Sequence, residues 1–338
     1  MKFLPAVWFA SFLLALFFIS HTPPTLNGCS SPREVRAATF SIVACDPESG
    51  EFGVAVQSKF PNVRPVVPWA EADVGAIATQ SLANTSYGPK GLVLLKNGAS
   101  AEEALRILIE NDSLRDERQV GIVDSRGRTA SWTGRNCFEW AGGCAGGSWG
   151  GKGEIVTGRG FTAQGNILVG RETIQAMARV FTETKGILGD RLVAALVAGG
   201  KAGGDRRGEE SAALLVVKKG AGYEGMDNYI DISIYDHPRP LEELERVYRL
   251  HKLYFFKSDP KNLVAVTPDL CREMQTIMED RGFYKGEVNG IYDAATRKSL
   301  TDFMYWENYD IRVRTDSLID TEVLVDIRKN YAEWKSHH

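Results

Sequence analysis

The residue with the most chemistry to offer is Thr39, which opens the run Thr-Phe-Ser-Ile-Val-Ala-Cys-Asp just after a stretch built like an export leader. A threonine that becomes a chain terminus carries a hydroxyl nucleophile and a free α-amine together. The amine, with an unperturbed pKa of about 7.7–8, can accept the hydroxyl proton. One residue then supplies two parts of an amide-hydrolysing site. A threonine opening a strand is as readily an ordinary β-former.

Other side chains suit the same chemistry. Lys59 ends the strand expected to pair with that of Thr39. An ammonium there would lower the amine pKa and stabilise an oxyanion. Ser58 is its neighbour, and because strand side chains alternate, only one of the two can face Thr39. Gln164 and Asn166 lie at period two on an extended segment, where Asn166 would offer amide hydrogens to an oxyanion. Asp205-Arg206-Arg207 sets a carboxylate beside two guanidiniums, a pattern that orients a substrate or grips its carboxylate bidentately. Each has a plainer reading: a solvated lysine, a loop-capping asparagine, a solvated charged loop. Asp236-His237-Pro238 with Ser211 reads as a strand-to-helix turn before it reads as a triad fragment. Nothing pairs Cys45 or Cys137 with a histidine.

The elements that must position these residues follow from pattern. Residues 39–45 and 52–58 are β-rich runs joined by the turn formers Asp46-Pro47-Glu48-Ser49-Gly50, which predicts a hairpin. A third strand is expected at 74–80. Helical periodicity covers 88–111, broken at Asn97-Gly98, with Ser100 and Glu103 as a capping box. Strands are expected again at 119–124, 129–133 and 161–168, with the glycine-heavy stretch 134–160 as loops. Helices at 171–184 and 189–199, strands at 211–218 and 228–235, and an amphipathic helix at 241–252 complete the pattern. Strands grouped apart from helices imply mainly antiparallel sheets. The expected class is α+β: a four-layer αββα sandwich, followed by a small all-α domain.

Length and composition set the outer limits. At 338 residues the chain holds two domains once a leader is set aside, at about 100–200 residues each. Hydrophobic content of 43% and charged content of 25% are ordinary for a globular protein. A net charge of −3, with scattered basic residues, argues against nucleic acid as a partner. Residues 3–20 are almost unbroken apolar sequence behind Lys2, which predicts a signal peptide or a short membrane anchor. Val35-Arg36-Ala37 fits signal-peptidase cleavage and would leave Ala38 ahead of Thr39. Leu26-Asn27-Gly28-Cys29 resembles a lipoprotein box but is separated from the apolar run. Either way the expected address is export: periplasm, cell wall or beyond. Cys137 and Cys144 flank a glycine-rich loop and could pair in an oxidising compartment. Neither a metal site nor a cofactor is expected. The oligomeric state is left open, a homo-oligomer included.

Several blocks carry a resemblance. Thr39–Ala44 (T-F-S-I-V-A), G-V-A-V-Q-S-K-F from Gly53, A-T-Q-S-L-A-N from Ala78, Y-G-P-K-G-L from Tyr87, A-Q-G-N-I-L from Ala163 and G-G-D-R-R-G-E-E-S-A-A-L from Gly203 occur in one order. Together they make 39–256 resemble the bacterial domain-of-unknown-function family 1028. That family is similar to the Ntn hydrolases, which use an N-terminal Thr, Ser or Cys on an αββα sandwich. Taken with the reading of the residues above, Thr39, Lys59, Asn166 and Asp205 are the expected catalytic residues. Ser58, Gln80, Gln164, Arg206 and Arg207 are the expected substrate contacts. Cytosolic relatives carry this threonine directly after the initiator Met, whereas here a leader precedes it. After a linker at 257–267, residues 268–332 resemble the three-helix peptidoglycan-binding module through Gln275, Gly282, Tyr284, Gly286, Val288-Asn289-Gly290, Tyr292, Thr296 and Phe303. The match departs at Met304, where glutamine is usual.

Two functions are therefore expected in order. The first is an exported amidohydrolase of small amide substrates, held to peptidoglycan or a cell-wall fragment by its C-terminal module. The second is a non-catalytic envelope ligand-binding protein on the same scaffold.

Overall fold

A computed structural model describes residues 39–338. The leader, its apolar run and both cleavage sites lie outside the described residues. The chain opens with β1 (Thr39–Asp46), β2 (Glu51–Ser58), β3 (Pro68–Glu71) and β4 (Gly75–Ser81), then α1 (Tyr87–Lys96) and α2 (Ala101–Glu110). Next come β5 (Arg118–Asp124), β6 (Arg128–Thr133), β7 (Gly142–Ala145), β8 (Ser148–Gly150), β9 (Ile155–Arg159) and β10 (Phe161–Asn166). Helices α3 (Glu172–Glu183) and α4 (Leu188–Lys201), strands β11 (Ser211–Val217) and β12 (Asn228–Ile234), and α5 (Pro240–Phe255) follow. The C-terminal part holds β13 (Leu263–Ala265), α6 (Pro268–Asp280), α7 (Ala294–Trp306), β14 (Leu318–Asp320) and α8 (Thr321–Lys335). The class is mixed α+β, with antiparallel sheets and eight α-helices among the described residues.

Seven strands run in the order β12-β11-β2-β1-β10-β7-β8, and five more in the order β3-β4-β5-β6-β9. Strand alternation decides what each face does. Phe40, Ile42 and Ala44 of β1 turn to one side and join Ile174, Met177, Phe181, Leu192, Leu196 and Leu244 of α3, α4 and α5 in one apolar cluster. Val43 turns to the other side, with Val54, Val56 and Leu215, and meets Ala76, Ala78 and Val123 of the five-stranded sheet. The outer face of that sheet (Ile77, Val120, Ile122) is covered by Leu92, Leu105 and Leu108 of α1 and α2.

The stretch 134–160 differs from the loops expected of it, since β7, β8 and β9 lie within it. Glycine hides these strands from a composition reading, yet it is what lets them pack. A Cβ on Gly143 would come within 3.0 Å of the Ala163 carbonyl and the Ser131 hydroxyl. The question of a Cys137–Cys144 pair is also answered, because both thiols are free and buried. Cys144 lies in the helix-side core, while Cys137 donates to the Arg118 carbonyl at 3.4 Å.

Glu51 ties the layers together. Its buried carboxylate accepts from the Leu188 N–H (2.8 Å), which begins α4, and from Lys218 Nζ (3.2 Å). The residue before α4, Ile187, has no side chain able to cap, so Glu51 supplies that anion from the sheet. Glu51→Ala is expected to lower unfolding free energy by about 2–3 kcal/mol, read by urea denaturation. A loss below about 1 kcal/mol would mean that water replaces the cap.

The C-terminal helices enclose their own core around Met274, Met278, Phe303, Tyr309 and Val323. Leu253 and Tyr254, at the end of α5 and before the expected linker, already belong to it. Helix α5 thus serves two cores, since Leu241, Leu244 and Tyr248 belong to the sheet-side cluster.

Candidate functional site

The layer between the two sheets changes character along the strands. At one end it is Val43, Val54, Ala76, Val123 and Leu215. At the other end the inward positions are Thr39 and Ser41 (β1), Ser58 (β2), Gln80 (β4), Gln119 (β5), Gln164 and Asn166 (β10) and Ser211 (β11), all buried. Burying this many amides and hydroxyls is costly unless they bond one another, and they do.

Thr39 is the first residue of β1 and only 1% exposed. Antiparallel register sets it opposite Ser58 on one side and Asn166 on the other. Its hydroxyl lies 3.1 Å from the Ser58 hydroxyl. Its carbonyl accepts from Gln80 Nε2 at 3.2 Å. Gln80 Oε1 accepts from the Ser41 hydroxyl (2.7 Å), which in turn accepts from Gln164 Nε2 (2.7 Å). Gln164 Oε1 is held by the Thr162 hydroxyl. The Gln164 amide fits because the residue facing it is Gly121, where any Cβ would collide with it. Ser211 accepts from the Val63 N–H at 3.2 Å.

Thr39, Ser58, Gln80, Gln164 and Asn166 are therefore brought together in one cluster. Lys59 is a correction: the residue facing Thr39 is Ser58. The Lys59 ammonium is held instead by the Glu209 carbonyl (3.1 Å) and the Glu210 carboxylate (3.7 Å), with its side chain 41% exposed. Alternation along β2 is the reason, since the position one residue on must point away. Asp205 is corrected in role. Its carboxylate is fully buried and accepts from the Lys59 N–H (3.0 Å), the Arg207 N–H (2.9 Å) and Arg207 Nη2 (3.1 Å). It clasps its own loop to the end of β2. Arg207 is thereby engaged with Asp205, and Arg206 Nη2 donates to the Leu168 carbonyl at 3.2 Å. These guanidiniums brace the rim of the site, and the carboxylate grip expected of them is already occupied by Asp205 in the case of Arg207.

The alternative nucleophiles fall away. His237 Nδ1 accepts from the Arg239 N–H at 3.2 Å, which turns the ring to its own loop. Burial pushes the Cys45 thiol up to about 12 and the Cys144 thiol up to about 11, and raises that of Cys137. None is a thiolate at neutral pH.

Sequence reasoning missed Gln119. It begins the strand run Gln-Val-Gly-Ile-Val-Asp, and an inward polar residue at a strand end, like Gln80 on β4, was the available signal. An apolar groove of about 530 Å³ lies between α1 and α2, lined by Pro89, Val93, Leu94, Ile107 and Leu108. It shares no lining residue with the Thr39 cluster. Among the described residues no group of three or more His, Cys, Asp or Glu side chains could hold a metal ion, and no helix is long and apolar enough to cross a membrane.

In the C-terminal module the signature residues build its turn. Gln275 is buried, its Nε2 reaching Thr296 Oγ1 (3.0 Å) and Tyr284 Oη (3.2 Å), while its Oε1 accepts from the Gly290 N–H (2.9 Å). Gly290 has φ of +79°, which glycine adopts without strain. Met304, at the position of departure, is buried in the module core.

Comparison with known proteins follows this division. The sequence model of a family of unknown function, DUF1028, matches residues 39–244, and that of a peptidoglycan-binding domain matches 254–325. The crystal structure of protein SPO2555 from Silicibacter pomeroyi, assigned to the same family, is similar at 30% identity and a TM-score of 0.55. The match covers 64% of this chain and 86% of that one. No curated protein matches.

Proposed function

The chain belongs to the family of unknown function DUF1028, and on that premise we propose that it is an exported Ntn-type hydrolase that cleaves an amide bond with Thr39. Its sheets and outer helices are read here as the αββα sandwich of that class. The peptidoglycan-binding domain supports a cell-wall partner, where stem peptides and N-acylated sugars offer amides.

One observation carries the reading. The first residue of β1 holds its hydroxyl in a buried polar cluster, 3.1 Å from a second hydroxyl and across from an amide donor. With Thr39 as the chain terminus, its Oγ attacks the substrate carbonyl while its α-amine takes the proton, and Ser58 orients the hydroxyl. The Asn166 amide stabilises the oxyanion. The ammonium then protonates the leaving amine, and water hydrolyses the ester.

The test has two arms. Sequencing of the exported protein is expected to find Thr39 first. An electrophilic acylating probe, such as a β-lactone, is expected to label it, and Thr39→Ala is expected to abolish labelling. A mature terminus at Ala38 or earlier would lock the base into a peptide bond and sink the proposal. The second reading, a non-catalytic envelope receptor, is favoured by the closure of the site: Thr39 is 1% exposed and the amides around it largely satisfy one another.

A further inference from the structure

Gln119 uses every polar atom of its side chain where the two sheets meet beside Thr39. Its Oε1 accepts from Asn166 Nδ2 and from Gln80 Nε2, each at 2.9 Å. Its Nε2 donates to the Gly165 carbonyl (2.8 Å), the Thr133 hydroxyl (2.9 Å) and the Gly142 carbonyl (3.2 Å). The amide has one possible orientation. Reversed, it would set its NH₂ against two donors and its oxygen against two backbone carbonyls. The residue is fully buried on β5, with those carbonyls fixed by the sheet opposite, so nothing lets it turn.

That single orientation propagates. Because Gln119 presents an oxygen, Asn166 must present its nitrogen and Gln80 must do the same. Gln80 Nε2 in turn holds the Thr39 carbonyl at 3.2 Å. Asn166 is the cross-strand partner of Thr39. An amide nitrogen carries two hydrogens, and the bond to Gln119 uses one of them.

We propose that Gln119 is the positioning residue of the Thr39 site. It fixes the Asn166 amide so that the second N–H is offered to the substrate oxygen, and through Gln80 it fixes the backbone of the nucleophile. This inference rests on the amidohydrolase reading. Gln119 never touches the reacting atoms. Its removal should therefore act on the rate of the chemical step rather than on capture of the probe, since misplacement of a catalytic group by about 1 Å costs on the order of 100-fold.

The experiment measures the β-lactone labelling of Thr39 against probe concentration in the full exported protein. Gln119→Met is expected to lower the maximal labelling rate about 10–100-fold while half-saturation stays within about twofold. Asn166→Ala is expected to lose a similar amount, and the double variant to lose clearly less than the product of the two single losses, because the part of the Gln119 effect that runs through the Asn166 amide is already gone. Leu108→Ala, a cavity in the α2 layer, controls for stability and is expected to keep the wild-type rate. Should Gln119→Met fail to fold, Gln119→Glu keeps the shape and the acceptor but sets a carboxylate oxygen against two carbonyls. Burial raises such a carboxyl group's pKa, so its rate relative to wild type is expected to recover as pH falls and the protonated form donates.

A second readout needs no activity: the side-chain amide hydrogens of Asn166, followed by NMR, are expected to exchange much faster in Gln119→Met. Wild-type labelling by Gln119→Met, a Gln119→Glu rate that shows no recovery relative to wild type as pH falls, multiplicative losses in the double variant, or unchanged Asn166 exchange would each overturn the proposal. Failure to label Thr39 in wild-type protein that begins at Thr39 would instead sink the amidohydrolase reading. The exchange measurement would then decide by itself whether Gln119 pins Asn166.

Discussion

Asp112→Ala is expected to remove about 3–5 kcal/mol of stability, a large share of the roughly 5–15 kcal/mol a domain usually has. The carboxylate gathers four donors: Arg118 Nε (2.9 Å), Tyr87 Oη (2.8 Å), the Leu114 N–H (2.8 Å) and Asn84 Nδ2 (3.2 Å). The Asp112 and Arg118 side chains are 10% and 9% exposed, so alanine would strand a buried guanidinium. Burial alone would raise the Asp112 carboxyl. The Arg118 guanidinium, the Leu114 N–H, Asn84 and Tyr87 outweigh it and hold the group well below the usual carboxylate range. A depressed folded pKa gives stability that is fully present above the unfolded value, about 3.9, and is lost as pH falls toward the folded one. Urea titrations from pH 7 to pH 3 are expected to show an acid limb in the wild type that flattens in Asp112→Asn. An identical acid limb in that variant would assign the proton uptake elsewhere. The clasp matters to the site because Arg118 begins β5 and the next residue is Gln119.

Much of this arrangement was legible in the sequence, and the exceptions share a physical cause. β-rich runs around a cluster of turn formers marked β1 and β2, and the Ser100–Glu103 capping box marked α2, whose reciprocal bonds are present. Gln164 and Asn166 were readable as one face of a strand because their spacing alone implies it. Choosing between Ser58 and Lys59 was beyond sequence, since the hairpin register decides it and a one-residue slip exchanges every side chain between faces. Chemistry favoured the lysine, and register favoured the serine. The strands β7 to β9 were obscured because their glycines are demanded by close backbone approach, which a propensity reading scores as loop. Asp205-Arg206-Arg207 was noticed for its charge. Only the fold reveals that the charge is consumed in fastening a loop to β2. Gln119 went unremarked because a lone glutamine in an apolar strand acquires meaning only from what the other sheet sets against it.

Ending the chain after Phe256 is expected to abolish pull-down by purified peptidoglycan sacculi, since the truncation removes nearly the whole of the peptidoglycan-binding domain. The module is not joined by a bare tether, so the truncation should carry a second effect. Lys252 bonds Asp190 at the start of α4 (2.8 Å), while its carbonyl accepts from Arg312 Nη2 (2.9 Å) in the module. Tyr254 stacks on Tyr309 with ring centroids 5.5 Å apart and donates to Asp326 at 3.1 Å. Leu253 and Tyr254 would be left bare, at about 1.5–3 kcal/mol for each fully buried side chain. The truncated protein is therefore expected to lose about 2–4 kcal/mol in urea denaturation, partly recovered by Leu253→Lys with Tyr254→Lys. Thr39 labelling by a soluble probe should stay at the full-length rate, because the module contributes local concentration at the wall and no atom to the site. Retained sacculus binding would move the wall contact onto residues 39–256. A labelling rate that falls with the truncation would mean instead that α5 transmits the module's docking through α4 to the Asp205 loop, whose carboxylate holds the end of β2 beside Ser58.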